Sequence, residues 1–191
     1  LLRKASSVRR DPIVLLSDEP YARLTFDGIE VPSIFDCYEH GILVTSFSKD
    51  LAIPGERIGY IALSPAFKDR ELVTKGFNFC MRALGFVNAP AFMQRVIPRA
   101  GDCCVDMDIY RRNRDLLWEH LSGLGFECLK PEGAFYLFPR SPIEDDVSFV
   151  GKAVDLRLLM VPGTGFGCPG HFRISFCFAT EKIERSLPIF S

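Results

Sequence analysis

Two apolar runs, Gly41-Ile42-Leu43-Val44 and Ile58-Gly59-Tyr60-Ile61-Ala62-Leu63, flank a polar stretch from Thr45 to Arg57, and this pattern constrains the fold more than any other in the chain. Short apolar runs of this kind read as strands of a buried sheet. Only about ten residues separate Ser46 from the strand starting at Arg57, whereas a parallel crossover needs a dozen or more. The connection is therefore expected to be a loop joining antiparallel or non-neighbouring strands, which makes the sheet mixed. Ser46, Ser48, Lys49 and Arg57 then sit at the mouth of the sheet, where α/β proteins place their chemistry. Two hydroxyls and a guanidinium suit a phosphate, and the single lysine among them suits a carbonyl.

A chain of 191 residues that is 48% hydrophobic can fill one large domain or two small ones. Its net charge of −1, with acids and bases interleaved, gives no footprint for nucleic acid and no polybasic membrane patch. The expected partner is small or neutral. Seven cysteines without a C-x-x-C pair argue against a disulfide framework and against a zinc site. They fit a reducing cytoplasm, and the vicinal Cys103-Cys104 reads as ordinary thiols packing as small hydrophobes. His40, His120 and His171 lack metal-ligand spacing, so no metal is expected. No apolar run approaches the ~20 residues that span a bilayer. The first ten residues are basic with no apolar stretch behind them, which is not a secretory signal. With no initiator methionine, the chain is expected to begin inside a longer reading frame.

Along the chain, residues 1 to 10 read as the end of a basic helix and Ile13 to Leu16 as a strand buried on both faces. Thr25 to Gly28 carries a turn signal, and Ile34 to Tyr38 a short helix or loop. Asp18 and Ser46 should lie at equivalent strand ends. Helices are expected over Pro65 to Lys75, capped by Ser64, and around Pro90 to Arg99. A long helix from Asp106 to Leu124 should present Ile109, Leu116, Leu117, His120, Leu121 and Leu124 on one side, with Arg111, Arg112, Arg114 and Glu119 spread around the other. It is read as a spacer into a second domain. Phe126 to Leu129 and Ala134 to Phe138, separated by Lys130 to Gly133, read as a hairpin. A helix over Val147 to Leu156, strands at Leu158 to Val161 and Phe172 to Phe176, and a last helix capped by Thr180 complete the expectation. Gly163 to Gly170 is glycine-rich but does not open a helix, so it is no dinucleotide fingerprint. It is expected to shape a substrate entrance.

Three motifs, in order and at matching spacing, resemble those of the fold-type I, class I/II aminotransferases that use pyridoxal 5′-phosphate (PLP). They are Ser17-Asp18-Glu19-Pro20-Tyr21; Ser46-Phe47-Ser48-Lys49 with Arg57 eight residues beyond the lysine; and Val161-Pro162-Gly163 with Phe166-Gly167 leading to Phe172-Arg173-Ile174-Ser175. The resemblance implies an α/β fold: a partial, mixed, mostly parallel sheet of the PLP-binding large domain over residues 1–105, then the long linking helix and a small α+β C-terminal domain over residues 106–191. It also implies that the first half of such an enzyme is absent, with the glycine turn and the ring-stacking aromatic that belong to it. The isolated chain is accordingly expected to be catalytically poor.

Taken alone, Lys49 is a solvated lysine at a strand end. The resemblance makes it the Schiff-base lysine and the acid/base that moves the substrate's Cα proton. It pairs Asp18 with the pyridine nitrogen, keeping the ring protonated, and gives the Tyr21 phenol to the cofactor's O3′. Ser46, Ser48 and Arg57 become the phosphate ligands, the arginine through its planar fork. Arg173, which on a short apolar strand either points to solvent or, buried, needs a carboxylate, becomes the clamp on the substrate's α-carboxylate. The implied reaction is ping-pong transfer of an amino group from an amino acid to a 2-oxo acid, in a full-length homodimer. Two other readings use the same residues: a PLP-dependent C–S β-lyase, and a non-catalytic aminotransferase-like sensor domain of a transcription regulator.

Overall fold

The computed structural model describes residues 1–191. The chain divides into two compact units: Leu1–Arg23 with Glu30–Val105, and Leu24–Ile29 with Asp106–Ser191.

In the first unit, β1 (Leu15–Asp18) runs parallel to β2 (Gly41–Ser46), with Leu15 opposite Gly41 and Asp18 opposite Val44. The third strand, β3 (Gly59–Leu63), returns antiparallel, with Ser46 opposite Gly59. The sheet is mixed, because the connection after Ser46 is too short for a crossover helix and turns back as a loop. Gly59 has no freedom to vary: a Cβ there would run into the carbonyl oxygen of Thr45 and the backbone of Ser46. The helices of this unit are α1 (Leu2–Ser6), α2 (Ile34–Cys37), α3 (Arg70–Ala83) and α4 (Ala91–Ala100).

Several expectations for this unit need correction. The N-terminal helix ends at Ser6 rather than near residue 10. β1 is not buried on both faces: its residues alternate, and Leu16 is 58% exposed, because only one face of the strand is covered within the unit. Ser64 caps a turn rather than a helix. Its hydroxyl accepts from Ala66 N (3.3 Å) and its carbonyl from Phe67 N (3.0 Å), and α3 starts only after Asp69, which sits at φ 55°. Cys37, Cys80 and Cys103 are exposed rather than packed.

The second unit is built on α5 (Met107–Gly123), whose N-cap Asp106 accepts from Asp108 N and Ile109 N. Its other elements are β4 (Tyr136–Leu137), α6 (Asp146–Asp155), β5 (Val161–Pro162), β6 (Phe172–Ser175) and α7 (Thr180–Ser186), of which β4 and α7 pack on α5. The strand order is β4-β6-β5, all antiparallel. Leu117 and Leu121 of α5, Leu137, Phe172, Ile174 and Phe176 form the core.

Here too the sequence expectation is corrected. Residues 126–129 form no strand, so there is no hairpin with 134–138. Glu132, Gly133 and Ala134 pair instead with the strap Leu24–Ile29: Ala134 N donates to Leu24 O (2.7 Å) and Phe26 N to Glu132 O (2.8 Å). Lys130-Pro131 forms no turn, and the segment that pairs with Gly133 lies about a hundred residues upstream, at Thr25. The strand expected from Leu158 begins at Val161, and Thr180 is the first helical residue, with Ala179 at the cap position. On α5, Arg114 is not on the solvated side. It is fully buried, as is Asn113, while Ile109 and Leu124 are exposed. The Arg114 guanidinium holds the strap: Nη1 donates to Asp27 Oδ2 (2.7 Å) and Nε to Asp115 Oδ1 (2.8 Å), and its guanidinium carbon lies 4.5 Å from the centroid of the Phe26 ring. No helix of the chain is long and apolar enough to cross a membrane.

Candidate functional site

β2 delivers Ser46 to the open end of the first unit's sheet, and the backbone turns immediately. Phe47 N donates to Ile58 O (3.1 Å), which closes the loop at its neck, and Ala52 N donates to Lys49 O (3.3 Å) with Ala52 at φ 53°. The residue that fixes this turn is Asp50, which is only 6% exposed. Its Oδ1 accepts from Leu51 N (2.9 Å), its Oδ2 faces Arg23 Nη1 (3.4 Å), and its carbonyl accepts from Val105 N (2.7 Å). Arg23 is itself tied to Asp102 O (2.9 Å). Lys49 is thus presented from a backbone held on both sides, and its Nζ lies 5.8 Å from the centroid of the Tyr21 ring.

Asp18 ends the parallel neighbour β1, and its carboxylate is exposed at the same sheet end. The chain beyond it is pinned to β2 by Glu19, whose N–H donates to Val44 O (2.8 Å) and whose carbonyl accepts from Thr45 Oγ1 (2.9 Å). Ser17 Oγ donates to Glu19 Oε1 (2.6 Å). This places Tyr21 beside the lysine. Ser46 and Ser48 are half-buried. Arg57 adopts a left-handed conformation (φ 50°), and its Nη1 donates to Pro54 O (2.7 Å), which fixes the exposed guanidinium on its own loop. A cleft of about 250 Å³ opens beside this turn, lined by Arg23, Thr45, Ser46, Phe47, Asp50 and Tyr60. The unit therefore gathers Asp18, Tyr21, Ser46, Ser48 and Lys49 at one end of a two-strand parallel register, with Arg57 on the loop joined to it through Phe47 and Ile58.

Sequence reasoning missed Asp50, Arg23 and Glu19. A signal existed for Asp50, an acid flanked by a lysine and an apolar residue in a polar loop. Its burial depends on partners 27 and 55 positions away, which no local pattern shows.

Arg173 belongs to the second unit, on β6 opposite Val161. It is half-buried, and its guanidinium carbon sits 4.4 Å from the centroid of Tyr136 and 4.5 Å from that of Phe166. Arg173 is thus neither free in solvent nor fully buried. Two aromatic faces hold the group instead, and no acidic side chain of the chain forms an ion pair with it. Both rings lie within cation–π reach and wall the guanidinium, which keeps its N–H groups as the donor surface.

The class I and II aminotransferase family profile matches residues 2–188. Among curated relatives, a probable aspartate aminotransferase of Methanocaldococcus jannaschii is 33% identical over 93% of this chain and 48% of its own length. Aromatic-amino-acid aminotransferase 2 of Thermococcus litoralis is 29% identical over 92% of this chain and 47% of its own. An aminotransferase crystal structure from Eubacterium rectale superposes with a TM-score of 0.92 at 40% identity, covering 99% of this chain and 48% of that one. The chain spans about half the length of the curated relatives it matches. With nearly every residue inside the profile and the mixed sheet in place, the chain belongs to the class I and II aminotransferase family.

Proposed function

We propose that the chain is the lysine-bearing half of a PLP-dependent aminotransferase, which moves an amino group from an amino acid to a 2-oxo acid. One observation carries this reading: the Lys49 amine stands beside the Tyr21 ring, on the turn that leaves β2 between Ser48 and the buried Asp50, one parallel strand from Asp18. The donor set fits a phosphorylated pyridine aldehyde, since hydroxyls and a fixed guanidinium match a phosphate, a carboxylate matches a protonated ring nitrogen, and an amine matches the aldehyde.

When bound, PLP supplies an aldehyde that captures amines and a ring that accepts the electron pair released at the substrate's Cα. Ser46, Ser48 and Arg57 would hold the phosphate. Asp18 would keep a proton on the ring nitrogen, and the Tyr21 phenol would donate to O3′. Lys49 would take the proton from the substrate's Cα and deliver it to the cofactor's C4′ carbon. Arg173 would grip the α-carboxylate through both edge nitrogens and so orient the Cα–H bond. The reading extends to a homodimer, from the resemblance, and to the cytoplasm, from the cysteine pattern. The aminotransferase names of the relatives do not favour the β-lyase or regulator alternatives.

Incubation with PLP followed by borohydride fixation and peptide mapping tests this. The label is expected on Lys49 and is lost in Lys49→Ala. A label spread evenly over the other lysines would sink the reading.

A further inference from the structure

The loop from Gly163 to Gly170 is cinched at its neck. Gly163 N donates to His171 O (2.7 Å) and Cys168 N to Gly163 O (3.0 Å). A Cβ at Gly163 would collide with the carbonyl oxygens of Cys168 and His171, so only glycine fits there. A neck alone does not fix the loop's tip, where Phe166 forms one of the two aromatic faces against Arg173. The tip is fixed by Asp146, the first residue of α6, which is 3% exposed. Its Oδ2 accepts from Thr164 N (2.7 Å) and its Oδ1 from Thr164 Oγ1 (2.7 Å). One buried carboxylate thus holds the start of the loop through two bonds to Thr164. On its far side Phe166 meets Phe138 edge to face, with ring centroids 6.1 Å apart, and Phe138 stacks on His171 at 5.4 Å. Every one of these residues lies in the second unit.

We propose that Asp146 is a positioning residue for the anion-binding guanidinium: by tying Thr164, two residues before Phe166, it sets Phe166 against Arg173, and so fixes how Arg173 meets a carboxylate. The part of this that concerns carboxylate binding rests on the reading of Arg173 given above. The part that concerns the loop stands without it. Charge-assisted hydrogen bonds to a buried carboxylate are about twice as strong as neutral ones. Removing the charge is therefore expected to loosen Thr164 to Gly170 while leaving β6, held by β4 and β5, in place. Arg173 then keeps its position along the strand and loses one wall of its slot.

The test uses NMR on the 191-residue chain. A guanidinium proton held over aromatic ring faces resonates upfield of an exposed arginine, and the Arg173 Hε signal, assigned through Arg173→Lys, is expected to show that shift. In Asp146→Asn it moves toward the exposed position, and the amides of 164–170 exchange faster with solvent while those of α5 do not change. Thr164→Val, which keeps the acid and removes only the hydroxyl bond, gives a smaller change of the same sign, and Asp146→Glu restores part of the shift. An Arg173 signal and loop exchange in Asp146→Asn that match the parent chain overturn the proposal, as does a loss of order spread equally through α5. Pyruvate, a 2-oxo acid with one carboxylate, is then titrated: it is expected to perturb Arg173 Hε in the parent and to need about tenfold more in Asp146→Asn. Pyruvate that perturbs Arg173 in neither protein refutes the carboxylate anchor alone, since the ring shift has already decided the role of Asp146.

Discussion

Asp50 shows how a single side chain can fix the backbone on which its neighbour stands. Its carboxylate satisfies Leu51 N and faces Arg23, and its carbonyl accepts from Val105 N. Together these hold the backbone on which Lys49 stands. Replacing Asp50 with alanine leaves Leu51 N without its acceptor and Arg23 without its acid. A lost hydrogen bond to a charged group is worth about 1.5–3 kcal/mol, but Arg23 is 40% exposed and recovers water. The expected cost is therefore near the lower end, about 1–2 kcal/mol. Urea titration checks it as a lower midpoint at unchanged slope. The same variant should slow borohydride fixation of PLP at Lys49, because the amine is no longer presented from a fixed turn. Unchanged midpoint and fixation rate would leave Asp50 with no such role.

Among the secondary-structure elements, the strap Leu24–Ile29 has the least local support and the most specific anchor. It is six residues long, leaves the first unit after Arg23, and returns at Glu30. Two backbone hydrogen bonds to residues 132–134 and the ion pair of Asp27 with Arg114 hold it to the second unit. Breaking a buried ion pair by deleting one partner costs about 3–5 kcal/mol. Asp27 and Asp115 keep substantial solvent, at 55% and 32% side-chain exposure, so Arg114→Ala is expected to cost less, about 2–3 kcal/mol, much of it lost packing on Phe26. Arg114→Met keeps most of that packing and should recover about half. Denaturant unfolding followed at Trp118, the chain's single tryptophan, reads both variants. Arg114→Met as destabilising as Arg114→Ala would mean that charge, not packing, dominates. This strap also marks where sequence reading reaches its limit. The sheet's mixed character was legible because a connection of about ten residues has few geometric options, and α5 because its cap and apolar spacing are local. The motifs at Asp18, Ser46 to Arg57 and Arg173 were legible as letters at a spacing. The strap, the buried Arg114 and the clamp at Asp146 were not, because each depends on contacts between residues far apart in sequence or on which face a neighbour happens to cover. Arg114 reads as surface charge until Asp27 arrives from the other end of the chain.

At the scale of the whole molecule, acid stability should be unevenly distributed between the units, because the perturbed aspartates are. Asp27, Asp115, Asp145 and Asp146 all lie in the second unit, and each carboxyl is held below its ordinary value of 3.8. For Asp27 the leading cause is the hydrogen bond from Arg114. For Asp115 burial opposes the shift, and hydrogen bonds from Arg114 and Lys130 outweigh it. For Asp145 and Asp146 the leading causes are the backbone N–H groups of Ser148 and Thr164. In the first unit Glu39 is lowered, by hydrogen bonds from its own backbone and from Arg3. The sign follows from linkage. Between the lowered folded value and the ordinary unfolded one, the unfolded chain binds more protons than the folded chain, so stability rises with pH across that window. The contribution is fully present above about pH 4 and is lost as pH falls through the folded values. Lowering the pH from 6 to 3 is thus expected to reduce the urea midpoint seen by Trp118, in the second unit, more than that of a probe confined to the first. Asp146→Asn removes one of the four titrating groups and should flatten that pH dependence as well as loosening its loop. Equal acid sensitivity of the two units, or a slope unaltered by Asp146→Asn, would mean that general charge repulsion at low pH outweighs these four carboxylates.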